Sequence, residues 1–130
     1  RRDYALELMR AEELTRPRAV LIGNAAHTLH PVAAQGLNLG LRDVAVLARL
    51  LCEAARHGTD PGAARLLDEY ARLRRSDHAA VTAFTDGLVR LFSNDLPLLS
   101  TGRAACLSLL DSLPGVKKFV AKRMMYGVNG

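Results

Sequence analysis

The residues best suited to chemistry lie in one stretch: Leu21-Ile22-Gly23-Asn24-Ala25-Ala26-His27, then Pro31, then Gln35-Gly36-Leu37-Asn38-Leu39-Gly40 with Arg42-Asp43. Its order is short apolar run, glycine, loop, proline, glycine, apolar helix. Gly23 carries no Cβ and lets the backbone come close to a ligand. Asn24 both donates and accepts hydrogen bonds, as a sugar-like polyol requires. Gly36 falls where a helix begins, so its N–H and that of its neighbour point outward without an intrahelical partner. A helix start of this kind stabilises negative charge. A reduced flavin spreads such charge over N1 and the C2 carbonyl oxygen, where the dipole would act as an oxyanion hole does. A nucleotide phosphate suits the same dipole, and the residue types alone leave both open.

The elements that must position this stretch follow from periodicity. Tyr4 to Met9 reads as either a strand or a short helix, and Glu12 to Arg18 is polar with a turn signal at Arg16-Pro17-Arg18. Ala19 to Ile22 is a short apolar run ending at Gly23, expected as a buried, parallel, central strand. A loop spans Asn24 to Gln35. From Gly36 to about His57 the pattern is helical, with Asn38, Arg42, Arg49, Glu53 and Arg56 on one narrow polar stripe. A helix this apolar is expected to be buried around most of its circumference. Gly58-Thr59-Asp60-Pro61-Gly62 ends it.

A second long helix repeats Leu66, Tyr70, Leu73, Ala80, Phe84, Leu88 and Leu91 at helical steps, with Asp68 and Arg72 at ion-pair spacing. Asn94 to Pro97 stops it. A third helix is expected over Leu98 to Leu113, and Pro114-Gly115 interrupts before a final helical segment, Val116 to Tyr126. That segment puts Val116, Phe119, Val120 and Met124 on one side and Lys118 and Lys122 on another. The expected fold is mostly α with one or two short strands. A lone strand is not a stable sheet, so its partners must come from elsewhere. With Arg1 in place of methionine and no signal-like stretch, the expectation is a C-terminal piece of a longer α/β protein. Residues 1–58 would finish one domain, and residues 59–130 would form a helical region.

Eighteen basic residues against thirteen acidic ones give a net charge of +5 in 130 residues, and fifteen of the eighteen are arginine. The surplus suits an anionic partner, whether nucleic acid, phosphate-bearing cofactor or membrane face. No nucleic acid is expected: aromatic residues do not interleave with the basic ones, and no recognition motif is present. No apolar run reaches membrane-span length. Cys52 and Cys106 read as buried thiols in a reducing compartment. His27 and His30 have the spacing of a metal pair but no third ligand nearby, so no metal site is expected. His27 reads as structural, bonding backbone near the loop. Asp43 reads equally as a ligand or as a partner of a helix dipole or of an arginine from a segment outside the chain. Tyr70, Phe84 and Phe92 read as core, and Arg72, Arg74 and Arg75 as a solvated helix face.

Gly23-Asn24-Ala25-Ala26-His27, Pro31 and Gln35-Gly36-Leu37-Asn38-Leu39-Gly40-Leu41-Arg42-Asp43 resemble the second flavin motif of the single-component aromatic hydroxylases. That motif usually reads G-D-A-A-H, then P, then G-Q-G-x-N-x-G-x-x-D. This chain departs from it at Asn24, in place of Asp, and at Ala34, in place of the first Gly of G-Q-G. Asn24 and the segment Phe84 to Asn94 are similar to the branch that hydroxylates 2-polyprenyl-6-methoxyphenol and related rings on the route to ubiquinone. The Tyr70 to Arg74 spacing points the same way.

The resemblance implies a Rossmann-like FAD-binding fold and a monooxygenase that uses FAD, NAD(P)H and O2 on a polyprenylated phenol. It implies that Gly23, Asn24 and Ala25 serve the ribityl and phosphate region. Pro31 would line the ring cavity, and Gly36, Leu37 and Asn38 would hold the flavin's pyrimidine edge. No catalytic base is assigned in this chain, because in such enzymes the cofactor carries the chemistry. The family's N-terminal G-x-G-x-x-G motif is absent, so the chain alone is expected to be inactive.

Implied partners are other ubiquinone-biosynthesis proteins, while Lys117, Lys118, Lys122 and Arg123 read equally as a peripheral contact with the inner face of the bacterial inner membrane and as part of a terminal helix docked on its own protein. The competing reading is a non-catalytic, membrane-associated scaffold of a quinone-synthesis assembly, which would have no use for the Gly23 to Asp43 segment.

Overall fold

The computed structural model describes residues 8–29, 31, 34–93, 108 and 111–126, with the side chains of residues 123, 124 and 126 left aside. Along the chain come β1 (Met9–Arg10), β2 (Thr15–Arg16), β3 (Ala19–Val20), a 3-10 turn (Gly23–Ala25) and β4 (His27–Thr28). Then follow α1 (Gln35–Arg56), α2 (Ala64–Phe92) and α3 (Pro114–Tyr126). The fold is mostly helical, as expected, but the strands differ from the reading above. They form two short antiparallel ladders, Met9↔Thr28 with Arg10↔His27 and Thr15↔Val20 with Arg16↔Ala19.

The apolar run Ala19 to Ile22 is therefore one arm of a hairpin around Pro17-Arg18, not a central parallel strand. Leu21 and Ile22 remain 39% and 38% exposed. A strand pattern registers apolarity but not direction, and two residues of ladder bury little. The Leu21 amide closes the hairpin on the Leu14 carbonyl at 2.8 Å. The β1–β4 ladder, extended by the Ala11 amide on the Ala26 carbonyl at 2.9 Å, ties the far end of the Gly23 loop to residues 9–11.

α1 begins at Gln35 and ends where expected. His57 and Gly58 close the last turn, Gly58 takes φ +63, and the Thr59 amide reaches the Ala54 carbonyl at 2.9 Å. Glycine adopts that left-handed geometry without steric cost. A tight turn held by Asp60, whose carboxylate accepts from the Gly62 amide, reverses the chain into α2. Leu39, Leu50, Ala54, Leu67, Tyr70 and Val81 are buried and supply the core where the two helices pack.

Burial corrects several expectations. α1 is not buried all round: Leu37, Leu41, Val44 and Leu51 are exposed, because α2 covers only the stripe through Leu39, Asp43, Leu50 and Ala54. On α2 the buried stripe is Leu67, Tyr70, Arg74, Asp77, His78, Val81 and Thr85. Leu66, Leu73, Ala80, Phe84, Leu88 and Leu91 flank it, half-buried. Arg72 pairs with Glu69 at 2.7 Å rather than with Asp68, since the i, i+3 partner gives a two-pronged contact. Phe92 is exposed, and so is Cys52. On α3, Phe119 is 65% exposed and Val120 half-buried. The expected third helix, His30 and Cys106 lie largely or wholly outside the described residues, where only Ser108, Asp111 and Ser112 are seen to be helical.

Ala34, which precedes α1, has φ +49 and ψ +34, a left-handed conformation that crowds a Cβ. This is the position where the resembled motif carries glycine. Replacing Ala34 with Gly is expected to raise folding stability by about 1 kcal/mol, the removed strain exceeding the added unfolded-state entropy. Denaturant midpoints of the two proteins check this, and a lower midpoint for Ala34→Gly would show that the strain is absorbed elsewhere.

Candidate functional site

The Gly23 loop is held by one carboxylate. Asp43, on the third turn of α1 and fully buried, accepts hydrogen bonds at both oxygens. Its Oδ2 takes the Gly23 backbone N–H at 3.1 Å and His27 Nε2 at 3.3 Å. Its Oδ1 takes Arg74 Nε at 2.7 Å and His78 Nε2 at 2.7 Å. One oxygen thus serves the loop and the other serves α2. His27 and His78 meet edge to face, with ring centroids 4.7 Å apart.

Beyond Asp43 the network continues. Arg74 reaches Asp77 at 2.8 Å and the Leu39 carbonyl at 3.5 Å, and Arg42 reaches Asp77 at 2.8 Å. Two carboxylates and two guanidiniums balance inside the protein, which is the condition for burying such groups without an uncompensated charge. Tyr70 adds a bond from its hydroxyl to the Leu21 carbonyl at 3.3 Å, just before the loop.

Burial alone would push the Asp43 carboxyl up, but bonds from His27, His78 and Arg74 outweigh it and hold the group well below the usual carboxylate range. An ionised carboxylate only accepts, so both imidazoles carry their proton on Nε2. Burial, then the charge of Asp43, raises the Tyr70 phenol far above its ordinary value, so it stays a hydroxyl donor. Burial lowers the Arg42 guanidinium from its ordinary value, partly offset by Asp77.

His27, Asp43 and His78 bring ligand-type atoms within 4.8 Å of one another. Metal ligation is nevertheless a poor account of them. The Arg74 guanidinium already occupies the carboxylate at 2.7 Å, and a metal cation would sit beside that charge.

The residues expected to face a cofactor fall on accessible ground. Asn24, Ala25, Pro31, Leu37 and Asn38 are exposed, while Gly23 and Gly36 are half-buried. Gly23 has φ +56, which glycine alone adopts freely, and a Cβ built on Gly23 or on Gly36 would meet nothing within 4 Å. The loop and helix touch where a Cβ on Gly40 would lie 3.3 Å from the Gly23 Cα, so two glycines seat the loop directly on α1. The start of α1 has no side-chain cap and no acidic residue in its first turn, leaving its N–H groups available to an anionic ligand edge. These features fit the pyrimidine side of a flavin. An open groove between the end of α1 and the first turns of α2 shares none of these residues, and four of its charges pair among themselves, Arg49 with Glu53 and Arg72 with Glu69.

Sequence reasoning missed Arg74 and His78. Arg74 belongs to no solvated face, being 3% exposed. Asp43 finds its arginine within this chain. His27 bonds the Asp43 side chain, not backbone. The available signal was spacing: positions 74, 77, 78, 81 and 85 continue the Leu67–Tyr70 stripe at helical steps.

Replacing Asp43 with Asn is expected to cost about 3–5 kcal/mol at neutral pH, because it takes from Arg74 one of its two buried carboxylates and leaves Asp77 alone against two guanidiniums, an uncompensated buried charge. Asp43 binds its proton more weakly folded than unfolded, so its contribution is full above about pH 4 and drains as pH falls below that. Urea unfolding at pH 7 and about pH 3 checks this. The native protein should lose more stability on acidification than Asp43→Asn, and equal losses would sink the assignment.

Comparison with known proteins fits this geometry. A family model described as an FAD binding domain matches residues 2–85. "Ubiquinone hydroxylase UbiL" of Rhodospirillum rubrum is 46% identical over 123 residues, which is 95% of this chain and 29% of that protein. A Synechocystis protein, slr1300, is 40% identical over 131 residues, covering 100% of this chain and 31% of its own length. Human "Ubiquinone biosynthesis monooxygenase COQ6, mitochondrial" is 44% identical over 115 residues, 88% of this chain and 25% of that protein. The chain therefore spans between 25% and 31% of the length of these relatives. Because the matched residues run from the paired strands through the Gly23 loop and Asp43 into α2, the chain belongs to the FAD binding domain family.

Proposed function

We propose that the protein carrying this chain is an FAD-dependent monooxygenase that uses NAD(P)H and O2 to hydroxylate the ring of a polyprenylated phenol in ubiquinone biosynthesis. The observation that carries the reading is the uncapped start of α1. Its first turn is open at Gly36 and sits beside a loop that Gly23 and Gly40 bring into direct contact with the helix. When bound, the flavin would supply the oxygen activation. The chain's own residues would do the holding. The backbone at Gly36, Leu37 and Asn38 would meet the pyrimidine edge, Gly23, Asn24 and Ala25 the ribityl and phosphate region, and Pro31 the ring cavity. Residues 1–58 would complete the flavin domain and residues 59–130 would add a helical region. The names of the relatives from Rhodospirillum and human support the ubiquinone setting.

Because a Cβ built on Gly36 meets nothing within 4 Å, Gly36→Leu is expected to separate binding from stability. The full-length protein should bind FAD, seen in its flavin absorbance. Gly36→Leu should keep its melting temperature and lose FAD affinity about tenfold or more, as expected for a side chain filling a ligand's space. The 130-residue chain alone should bind none. A folded full-length protein without flavin would favour the scaffold reading.

α3 supports a proposal for the site of action. Phe119 and Val116 are exposed on a helix that also carries Lys117, Lys118 and Lys122 and has no acid in its first turn. No helix among the described residues is long and apolar enough to cross a membrane. A basic helix with exposed apolar side chains suits peripheral contact with an anionic lipid surface, where a polyprenyl substrate resides. We place the protein in the cytoplasm at the inner face of the bacterial inner membrane. Flotation with anionic liposomes should drop when residues 116–130 are removed, and equal flotation of both proteins would end this part of the proposal.

A further inference from the structure

We infer that Arg74 and His78, on α2, are positioning residues for the cofactor loop, acting through Asp43 on the Gly23 backbone. The inference rests on the flavin reading above. Neither side chain reaches the exposed ground where a cofactor would lie, since they are 3% and 2% exposed. Their influence must pass through the groups they touch.

The path has two ends. Arg74 Nε and His78 Nε2 both bind Oδ1 of Asp43, at 2.7 Å each, while Gly23 N and His27 Nε2 both bind Oδ2. The two oxygens of a carboxylate are fixed in one plane, so turning Oδ1 turns Oδ2. With the α2 donors in place, the carboxylate has a single orientation that satisfies all four. Without them it can rotate about its own side-chain torsions, and the Gly23 amide loses the acceptor that fixes it.

Among the described residues, the loop's other anchors, the Tyr70 hydroxyl on the Leu21 carbonyl and the Ala11 amide on the Ala26 carbonyl, hold its two ends and not the Gly23 amide. Within residues 21–29 only Ala26 and His27 are buried, so apolar burial does little to fix the loop. Gly23 has φ +56 and lies against Gly40 with no intervening side chain. A loop seated on a helix by backbone contact alone moves with the group that ties it down. Arg74 is itself braced by Asp77 and by the Leu39 carbonyl, and His78 by its edge-to-face contact with His27. The α2 end of the bridge is thus the stiffer one, as side chains that orient a ligand-holding group usually are.

A purely structural role predicts that variants lower the melting temperature and nothing else. The positioning role predicts a change at the flavin. In the full-length protein, FAD dissociation constant, flavin absorption bands and midpoint potential should be compared for native protein, His78→Ala, His78→Gln and Arg74→Lys, well below each melting temperature. His78→Ala should weaken FAD binding about tenfold, the effect of losing one hydrogen bond to a charged group, and shift the flavin bands. His78→Gln can return an N–H to the place of Nε2 and should restore most of the affinity. Arg74→Lys should fall between.

Unchanged affinity and bands in folded His78→Ala and Arg74→Lys would overturn the inference alone. Absence of flavin from the native protein would instead overturn the flavin reading and this inference with it. If His78→Ala does not fold, the native protein decides. By reciprocity, FAD must slow backbone hydrogen exchange at residues 74–78 as well as at 23–27, and unchanged exchange at 74–78 would reject the inference.

Discussion

A buried carboxylate that accepts four hydrogen bonds cannot shift without disturbing every group that donates to it, and the arrangement around Asp43 follows from that constraint. Removing a charge from water costs several kcal/mol, and only close, complete pairing recovers it. Asp43 meets the condition by collecting donors from three separate stretches: the Gly23 loop, the His27 strand and α2. The loop contributes almost no apolar surface to the core, so hydrophobic burial cannot specify its path. The polar network does so instead, and Arg74, Asp77 and Arg42 follow from the need to balance charge once Asp43 is buried.

α1 has a second consequence for the fold. It is apolar on two sides, and α2 covers one of them, through Leu39, Leu50 and Ala54. Leu37, Leu41, Val44 and Leu51 stay exposed, as do Leu21 and Ile22 on the hairpin. Apolar surface of that extent on one helix is what further packing would use. The relatives are three to four times longer than the matched region, so they have chain enough to supply it. The exposed side includes Leu37 and Asn38, next to the open first turn at Gly36.

Sequence periodicity recovered the two long helices, the turn at Gly58 to Gly62 and the loop at Gly23. Each rests on a local signal: a left-handed glycine, a proline-containing turn, apolar steps of three and four. It failed where a buried position is polar. A helical pattern weighted by apolar residues shifts the α2 stripe one residue away, onto Leu66, Leu73 and Ala80, because Arg74, Asp77 and His78 count against burial until their partners are known. The same blindness made Arg74 a surface charge and left Asp43 without its arginine. Strand direction was hidden for another reason. Four apolar residues before a glycine look alike in a central strand and in a hairpin arm, and only pairing tells them apart.

The fold divides labour between backbone and side chains in a way that motif reading does not convey. The residues that face open ground, Gly23, Asn24, Gly36 and Asn38, are small or polar and offer mainly their main chain. The side chains that fix where this main chain lies are Asp43, His27, Arg74 and His78, all buried. Two of the four sit on α2, more than thirty residues beyond the motif. The path of the Gly23 loop depends on how α1 and α2 are docked, not on the loop alone. A change in α2 packing near Tyr70 or Arg74 therefore bears on the loop as directly as a change within it, because the Leu21 carbonyl and the Gly23 amide are both tied to that helix, one through Tyr70 and the other through Asp43.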